Sequence, residues 1–397
     1  MNNLWGCHAN IISGQLHFYN SLICMKKFKL RKLIIGIFIF VTLINICAVI
    51  SDSFANLYRK YVFHTISGLV SAIMSTIPFS FGELLIVLGI LLCVYLFILF
   101  IIGIWIKSDK YRYIRKISLN LFIVCLLFIY VSESLNWYVL YAADTIENDI
   151  YKKQANEINN NTPKEDEEAL YMLYCDTVNN LNELSVKFKR DEEGYISDSL
   201  FTVNECKEAL LSISDEFDLL KGYYPMPKKI FFSGIMSQQY LAGIYFPFSF
   251  EANYNRKMYI CNTPATICHE LSHIKGYIRE DEANFIAYVA CTNSENEFIR
   301  YCGYLSVYYY VFRDFVTKCN YQAYDCPVIN ELVEKDDIFL KPEDFKRIEA
   351  DSIFSTDVLS DSSEAFTDAY LKFGGVSSGM DSYSEVVRLL LLYKKSV

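Results

Sequence analysis

The stretch TICHELSHIKGYIREDEANF, residues 266–285, sets two histidines four residues apart, with a glutamate directly after the first. Seven residues beyond the second histidine begins a run of three acids, Glu280, Asp281 and Glu282. On an α-helix, side chains four apart lie one turn above the other on a single face, so His269 and His273 can aim both imidazoles at one point. Zinc accepts such ligands, and a catalytic zinc usually has three protein ligands and a water. Glu270 stands one residue round from His269, where it can approach water beside an ion without binding the ion. This H-E-x-x-H order of ligand, base and ligand is a known signature of zinc-dependent hydrolysis.

The residues on either side of the motif define its helix. Thr263 is expected to cap the start and Pro264 suits the first turn, where a missing amide hydrogen would have gone unpaired. Gly276 can end it. A second helix then begins near Glu280, on which Glu280, Ala283, Asn284 and Ala287 share a face. Small residues behind a leading carboxylate let that helix pack closely on the first. Glu280 is the expected third ligand, with Asn284 one turn on to hold a ligand by hydrogen bond. Glu282 lies about 200° round the same helix, beside Phe285, Ile286 and Val289. Two glutamates so placed cannot face one ion, and Glu282 stands as the rival ligand. Cys268 points about 100° away from His269 and is a poor ligand.

Upstream, short β-rich runs punctuated by Gly and Pro (KIFFSG from 229, LAGIYFPF from 241, KMYIC from 257) predict a small sheet. An extended segment just before such a helix can receive a substrate strand main chain to main chain, and Glu251, Asn253 and Asn255 in GIYFPFSFEANYN would line that cleft. A plain hairpin with polar turn residues is the equal alternative. Downstream, helices are expected over 280–292 and 297–317, a polar loop over 351–366, and an amphipathic helix over 384–395. Tyr301, Tyr304 and Tyr308 share a face of the 297–317 helix. They are candidate donors to an oxyanion, although aromatic stripes at helical spacing more often belong to a core.

The first third of the chain is of a different kind. Uncharged runs at 33–50 and 84–106 have the length a bilayer demands, and a third run, 117–138, ends in Trp137 and Tyr138 at the expected water boundary. Five Lys/Arg precede the first run (26–32) and five separate the second from the third (107–116), while residues 51–83 hold only Arg59 and Lys60. Positive charge favours the cytoplasm, so everything past about residue 140 is expected outside. The first run lacks a small-residue cleavage site and reads as an anchor that is kept. MKKFKLRKL from Met25 resembles a natural beginning, and residues 1–24 are given no function. The expected organisation is therefore a cytoplasmic N-terminus (1–31), a membrane part (32–140), a helical juxtamembrane region (141–227), a metal-binding domain (228–350) and a closing loop and helix (351–397). In class it is an α+β membrane protein: three N-terminal spans, then a mainly helical domain with a small β-sheet.

The net charge of −9 has its basic clusters beside the spans and its acids in the outer part, which is no footprint for nucleic acid. Eight of 13 cysteines fall in the outer part without zinc-finger spacing; Cys319 and Cys326 could form a local disulfide, and buried free thiols are as reasonable. The Asn/Lys/Ile/Tyr-rich composition fits an AT-rich bacterial genome. A bacterial cell membrane is the expected location and the lipid bilayer an expected partner.

HELSH followed by EDEANFIA resembles the gluzincin class of zinc peptidases. The second element is similar to the E-x-x-A-[DN] helix of membrane CAAX-prenyl-protease and HtpX-type enzymes, and closer to the E-x-E-A-N-x-F-A run of ImmA/IrrE-type peptidases. The resemblance implies a zincin-like domain with Glu280 as metal ligand and Asn284 behind it. In those families the gap between the second histidine and that glutamate is usually much longer than seven, which leaves Glu282 open. Most of the chain resembles a bacterial family of three-span membrane proteins of unknown function, through YRKYVFHTISGLVSAIMSTIPFSFGELL at 58–85, LNW at 135–137, GIYFPFSFEANYN at 243–255, CHELSH at 268–273, REDEANFIAY at 279–288 and RYCGYL at 300–305. The expected function is hydrolysis of a protein or peptide substrate: Zn²⁺ on His269, His273 and Glu280 acidifies water and polarises the carbonyl, and Glu270 moves the proton. The rival is a zinc-holding membrane sensor or partner-binding domain without catalysis.

Overall fold

The computed structural model describes residues 30–148, 150, 164–197, 200–319, 324–352, 356–358, 360, 361 and 385–394. The expectations for residues 1–29, for 151–163 within the juxtamembrane region and for most of the 351–366 loop lie outside these.

Three helices are long and apolar enough to cross a membrane. The first is α1 (Leu30–Ile50). Three helical pieces follow, Asp52–Leu57, a π-helical Tyr58–Phe63 and His64–Met74, which run on without a break and are labelled α2. The second crossing helix, α3 (Phe81–Trp105), is capped by Ser80, whose hydroxyl accepts from Glu83 N. The third, α4 (Asp109–Glu133), begins in the basic segment, earlier than hydropathy alone suggests, because Ser108 caps it. It continues into a π-helical turn, Ser134–Tyr138, and a last turn, Val139–Tyr141. The protein is an α+β membrane protein, mainly helical, with one small sheet.

Beyond the spans, α5 (Lys164–Ser185) and α6 (Val203–Ser212) precede the sheet. A capping box between Thr202 and Glu205 starts α6. The sheet has the order β1 (Lys228–Lys229), β3 (Glu251–Tyr254), β2 (Gly243–Phe246). Strands β2 and β3 form an antiparallel hairpin with Gly243 opposite Tyr254 and Phe246 opposite Glu251; β1 pairs parallel with β3. The third strand is thus EANY, not KMYIC. Residues 257–261 instead turn toward a distant segment, with Tyr259 N donating to Phe339 O, and pass through a 3-10 turn at Ile260–Asn262.

That turn leads straight into α7 (Thr263–Ile274), the histidine helix. Thr263 does not cap it. Asn262, already in helical geometry, occupies the cap position, and its amide is spent on Ile338 O and Tyr259 O. Pro264 sits in the first turn as expected. α8 (Glu280–Thr292) and α9 (Glu297–Lys318) follow, and α10 (Glu385–Lys394) closes the chain. Gly303 lets α8 and α9 close up, since a Cβ there would fall 2.7 Å from Cys291 Cβ. The core is continuous from this bundle to the span ends: Phe63 and Trp137 belong to the same buried cluster as Leu271, Phe285 and Tyr301. Cys319 and Cys326 are free thiols, so the local disulfide is not formed; Cys319 lies against Glu167 O.

Two carboxylates hold the sheet to the start of α3. Glu251 accepts from Phe81 N at 3.1 Å, Gly82 N at 2.6 Å and Ser249 Oγ at 2.7 Å, and pairs with buried Lys228. In return, Glu83 accepts from Phe232 N at 2.8 Å and Phe231 N at 2.9 Å. Free amides and positive dipole at a helix N-terminus favour a carboxylate there.

Candidate metal centre

The two histidines lie one turn apart on α7 with their Nε2 atoms 3.0 Å apart and their rings nearly perpendicular, at 88°. Each ring is held from behind. His273 Nδ1 lies 2.7 Å from Tyr277 O, and a carbonyl can only accept, so this nitrogen carries the proton and Nε2 offers its lone pair. His269 Nδ1 lies 2.8 Å from Asn284 Oδ1, which fixes the second ring in the same sense.

Tyr277 O reaches His273 because of how α7 ends. Gly276 takes φ +97, Gly276 N bonds His273 O and Tyr277 N bonds Ser272 O. That left-handed residue is the usual end of a helix, and it turns the next carbonyl back under the ring. Arg279 then starts α8, and Glu280 leads it. Glu280 Oε2 lies 3.1 Å from His269 Nε2, and Oε1 lies 3.7 Å from His273 Nε2.

This donor set fits a zinc ion. Two ligand atoms about 2.1 Å from an ion stand about 3.4 Å apart at a tetrahedral angle, and the spacings of 3.0, 3.1 and 3.7 Å bracket that value. Two imidazole nitrogens and a carboxylate at such range need a cation between them, either a metal ion or a proton held on His269. The electrostatics of His269 show the same pull: burial opposes its charge, but the hydrogen bond and charge of Glu280 outweigh burial and lift its pKa to about 9. Burial lowers His273 to about 4.

Glu270 is buried beside the cluster. Burial raises its pKa to about 8; the charge of His269 opposes the rise and that of Glu280 adds to it. Among the described residues its Oε2 has no partner. Strand β2 runs against this carboxylate at Gly243. A carboxyl group with a pKa near 8 can both accept and return a proton near neutrality.

The wall behind His273 is aromatic. Trp137, in the π-turn that ends the third span, has its ring centroid 6.0 Å from that of His273, and Tyr245 of β2 lies at 5.9 Å. Tyr141 packs on Trp137 at 5.6 Å, feels the charge of Glu280, and has a buried hydroxyl without a partner among the described residues. Tyr310 of α9 also feels Glu280. A cavity of about 460 Å³, lined in part by Val49, Asp52, Tyr138, Tyr141 and Arg279, opens next to this corner.

Glu282 points elsewhere. Its Oε1 accepts from Ile146 N at 2.8 Å, and it faces Arg279 and Arg59 rather than the histidines. The cleft residues expected from sequence are structural. Glu251 is tied to α3. Asn255 closes a turn through Ser237 Oγ, Leu241 O and Lys257 N. Asn253 donates to Ile244 O and Glu251 O, leaving its buried Oδ1 unpartnered among the described residues. The three tyrosines of α9 are placed in packing: Tyr301 donates to Asp336 at 2.8 Å, Tyr304 meets Tyr288 edge-on, and Tyr308 stacks on Phe312. Tyr141 and Tyr310, which do lie near the cluster, were masked in sequence by the span on one side and the aromatic stripe on the other.

Residues 58–391 match the family model described as "Protein of unknown function (DUF3810)". The chain belongs to the DUF3810 family. No curated protein and no solved structure matches it. DUF3810 membership covers the connecting helix from Tyr58 onward, two of the three spans and the three candidate metal ligands, and its description names no activity.

Proposed function

We propose that this DUF3810 protein is a membrane-anchored zinc metallopeptidase of gluzincin type. The observation that carries the reading is the convergence of His269 Nε2, His273 Nε2 and the Glu280 carboxylate within 4.8 Å of one another, beside a buried glutamate with a free oxygen. When bound, zinc supplies Lewis acidity, drawing electron density from a peptide carbonyl and lowering the pKa of water toward neutrality. Glu270 takes the proton from water at Oε2 and returns it to the leaving amine. Tyr141 offers its hydroxyl to the carbonyl oxygen as negative charge develops there. Strand β2 is an edge of the sheet and passes close against Glu270 at Gly243, which suits an extended peptide pairing along that edge. The basic flanks of the spans support an orientation with the domain outside a bacterial cytoplasm.

The test is zinc analysis and peptide hydrolysis with purified full-length protein and its Glu270→Gln variant. The variant should keep zinc and lose hydrolysis; cleavage unchanged in the variant overturns the mechanism. Zinc uptake without hydrolysis by the unsubstituted chain would instead make the domain a zinc-holding sensor or partner-binding module.

A further inference from the structure

Helix α2 joins the first two spans and is built inside out. Its outward face carries Phe54, Leu57, Tyr61, Ile66, Leu69 and Ile73, between 36% and 65% exposed. Their steps are three, four, five, three and four, and the five falls where the π-helical turn at Tyr58–Phe63 takes more residues per turn. The inward face repeats every four residues as Ala55, Arg59, Phe63, Ser67 and Ser71, all buried. A helix at a water surface would put the serines out and the Ile and Leu in. Here the buried hydroxyls return to their own helix, Ser67 to His64 O and Ser71 to Gly68 O. Arg59 donates to Asp144 O, and Phe63 meets Phe250 at 5.8 Å, so the inward face is fastened to the domain that holds the metal cluster.

We infer that α2 lies in the surface of the phospholipid leaflet on the domain's side, its Leu57–Ile73 face against acyl chains. With Asp52, Arg59, Lys60 and His64 along it, α2 is not among the helices apolar enough to cross. Both of its ends are tied to helices that are: α1 stops at Ile50 and α3 begins at Phe81. The apolar surface continues onto the sheet domain at the same level. Phe231 and Phe232, 66% and 46% exposed, have their amides on Glu83 in the first turn of α3. Exposed Arg256 lies over the Phe231 ring at 5.4 Å, with exposed Lys229 and Lys257 nearby in sequence, a cationic rim suited to lipid phosphates. Interfacial helices sit with the apolar face sunk about 5–10 Å. The histidine helix is then one helix layer above lipid, through Phe63 and Arg59 against Gly276.

The experiment uses full-length protein in phosphatidylcholine vesicles brominated at acyl carbons 6 and 7, with Leu69→Trp and Ile73→Trp read against unsubstituted protein. Val186→Trp, at a position 65% exposed in the outer part, is the water-facing reference. The added indole at 69 or 73 should lose emission in brominated lipid and be blue-shifted, while the reference is unaffected. Indoles at 69 and 73 that behave like the reference overturn the inference. So does protection from acrylamide without bromine quenching, which would mean that a second copy of the chain covers this face. Neither reading depends on zinc or hydrolysis, so the peptidase proposal stands or falls separately.

Discussion

Gly243 and Glu270 occupy space that a single added carbon would contest: a Cβ at 243 would fall 2.3 Å from Glu270 Oε1. The strand backbone therefore closes over the carboxylate, which explains both its burial and its elevated pKa. Gly243→Ala should push Glu270 out of place while leaving the candidate ligands His269, His273 and Glu280 on α7 and α8 untouched. The expected result is zinc content near that of the parent with hydrolysis reduced at least tenfold, measured by metal analysis and turnover on one preparation.

On the proposed reading, zinc competes with a proton that the same side chains attract. His269 is held at a pKa of about 9 chiefly by Glu280 acting against burial. Ligands must shed protons to bind metal. Zinc affinity should fall as pH is lowered from 9 to 6, and calorimetry in buffers of different ionisation heat should register proton release near pH 7. An affinity flat across that range would contradict the ligand set.

Glu280 and Glu282 should separate cleanly. Glu280→Gln should lose most zinc, whereas Glu282→Gln should retain it. Burial raises Glu282 from 4.5 to about 7, aided by the charge of Asp281. A raised carboxyl pKa means the folded state binds more protons than the unfolded one between those values, so stability is highest below 4.5 and declines as pH rises to 7. The span of that decline is about 3 kcal/mol at 1.36 kcal/mol per pKa unit. Melting curves of Glu282→Gln between pH 4.5 and 7 should lose that slope.

Glu251 is a buried charge shared between Lys228 and the first amides of α3. Glu251→Ala leaves Lys228 buried without its carboxylate, a change that typically costs about 3–5 kcal/mol. The variant should melt well below the parent in detergent, and Lys228→Met in the same chain should recover part of the loss.

The histidine helix and its successor were legible because their signals are local: four-residue spacing, Pro264 near one end, Gly276 at the other, acids opening the next helix. The bounds of α8 agree with the pattern read from 280 to 292. Spans were legible for the same reason, since lipid asks only for length and apolarity. What escaped reading depends on partners far along the chain. Glu251 and Asn253 look like cleft residues until Gly82, 169 positions away, claims the first of them. Tyr301 looks like a free donor until Asp336 gathers it with Tyr259 and Arg190. Thr263 lost its capping role to a 3-10 turn that no nearby residue announces.

The π-turn at Ser134–Tyr138 gives Trp137 two employments, as a bulky residue near the end of a crossing helix and as a neighbour of His273. A soluble fragment trimmed after that helix would shed the indole, and one begun past residue 141 would shed Tyr141 as well. His273 would then meet solvent on a side that is now hydrophobic, with a different basicity and a looser ring. Biochemistry on such a fragment would report on an altered centre, so bilayer and chemistry have to be purified together.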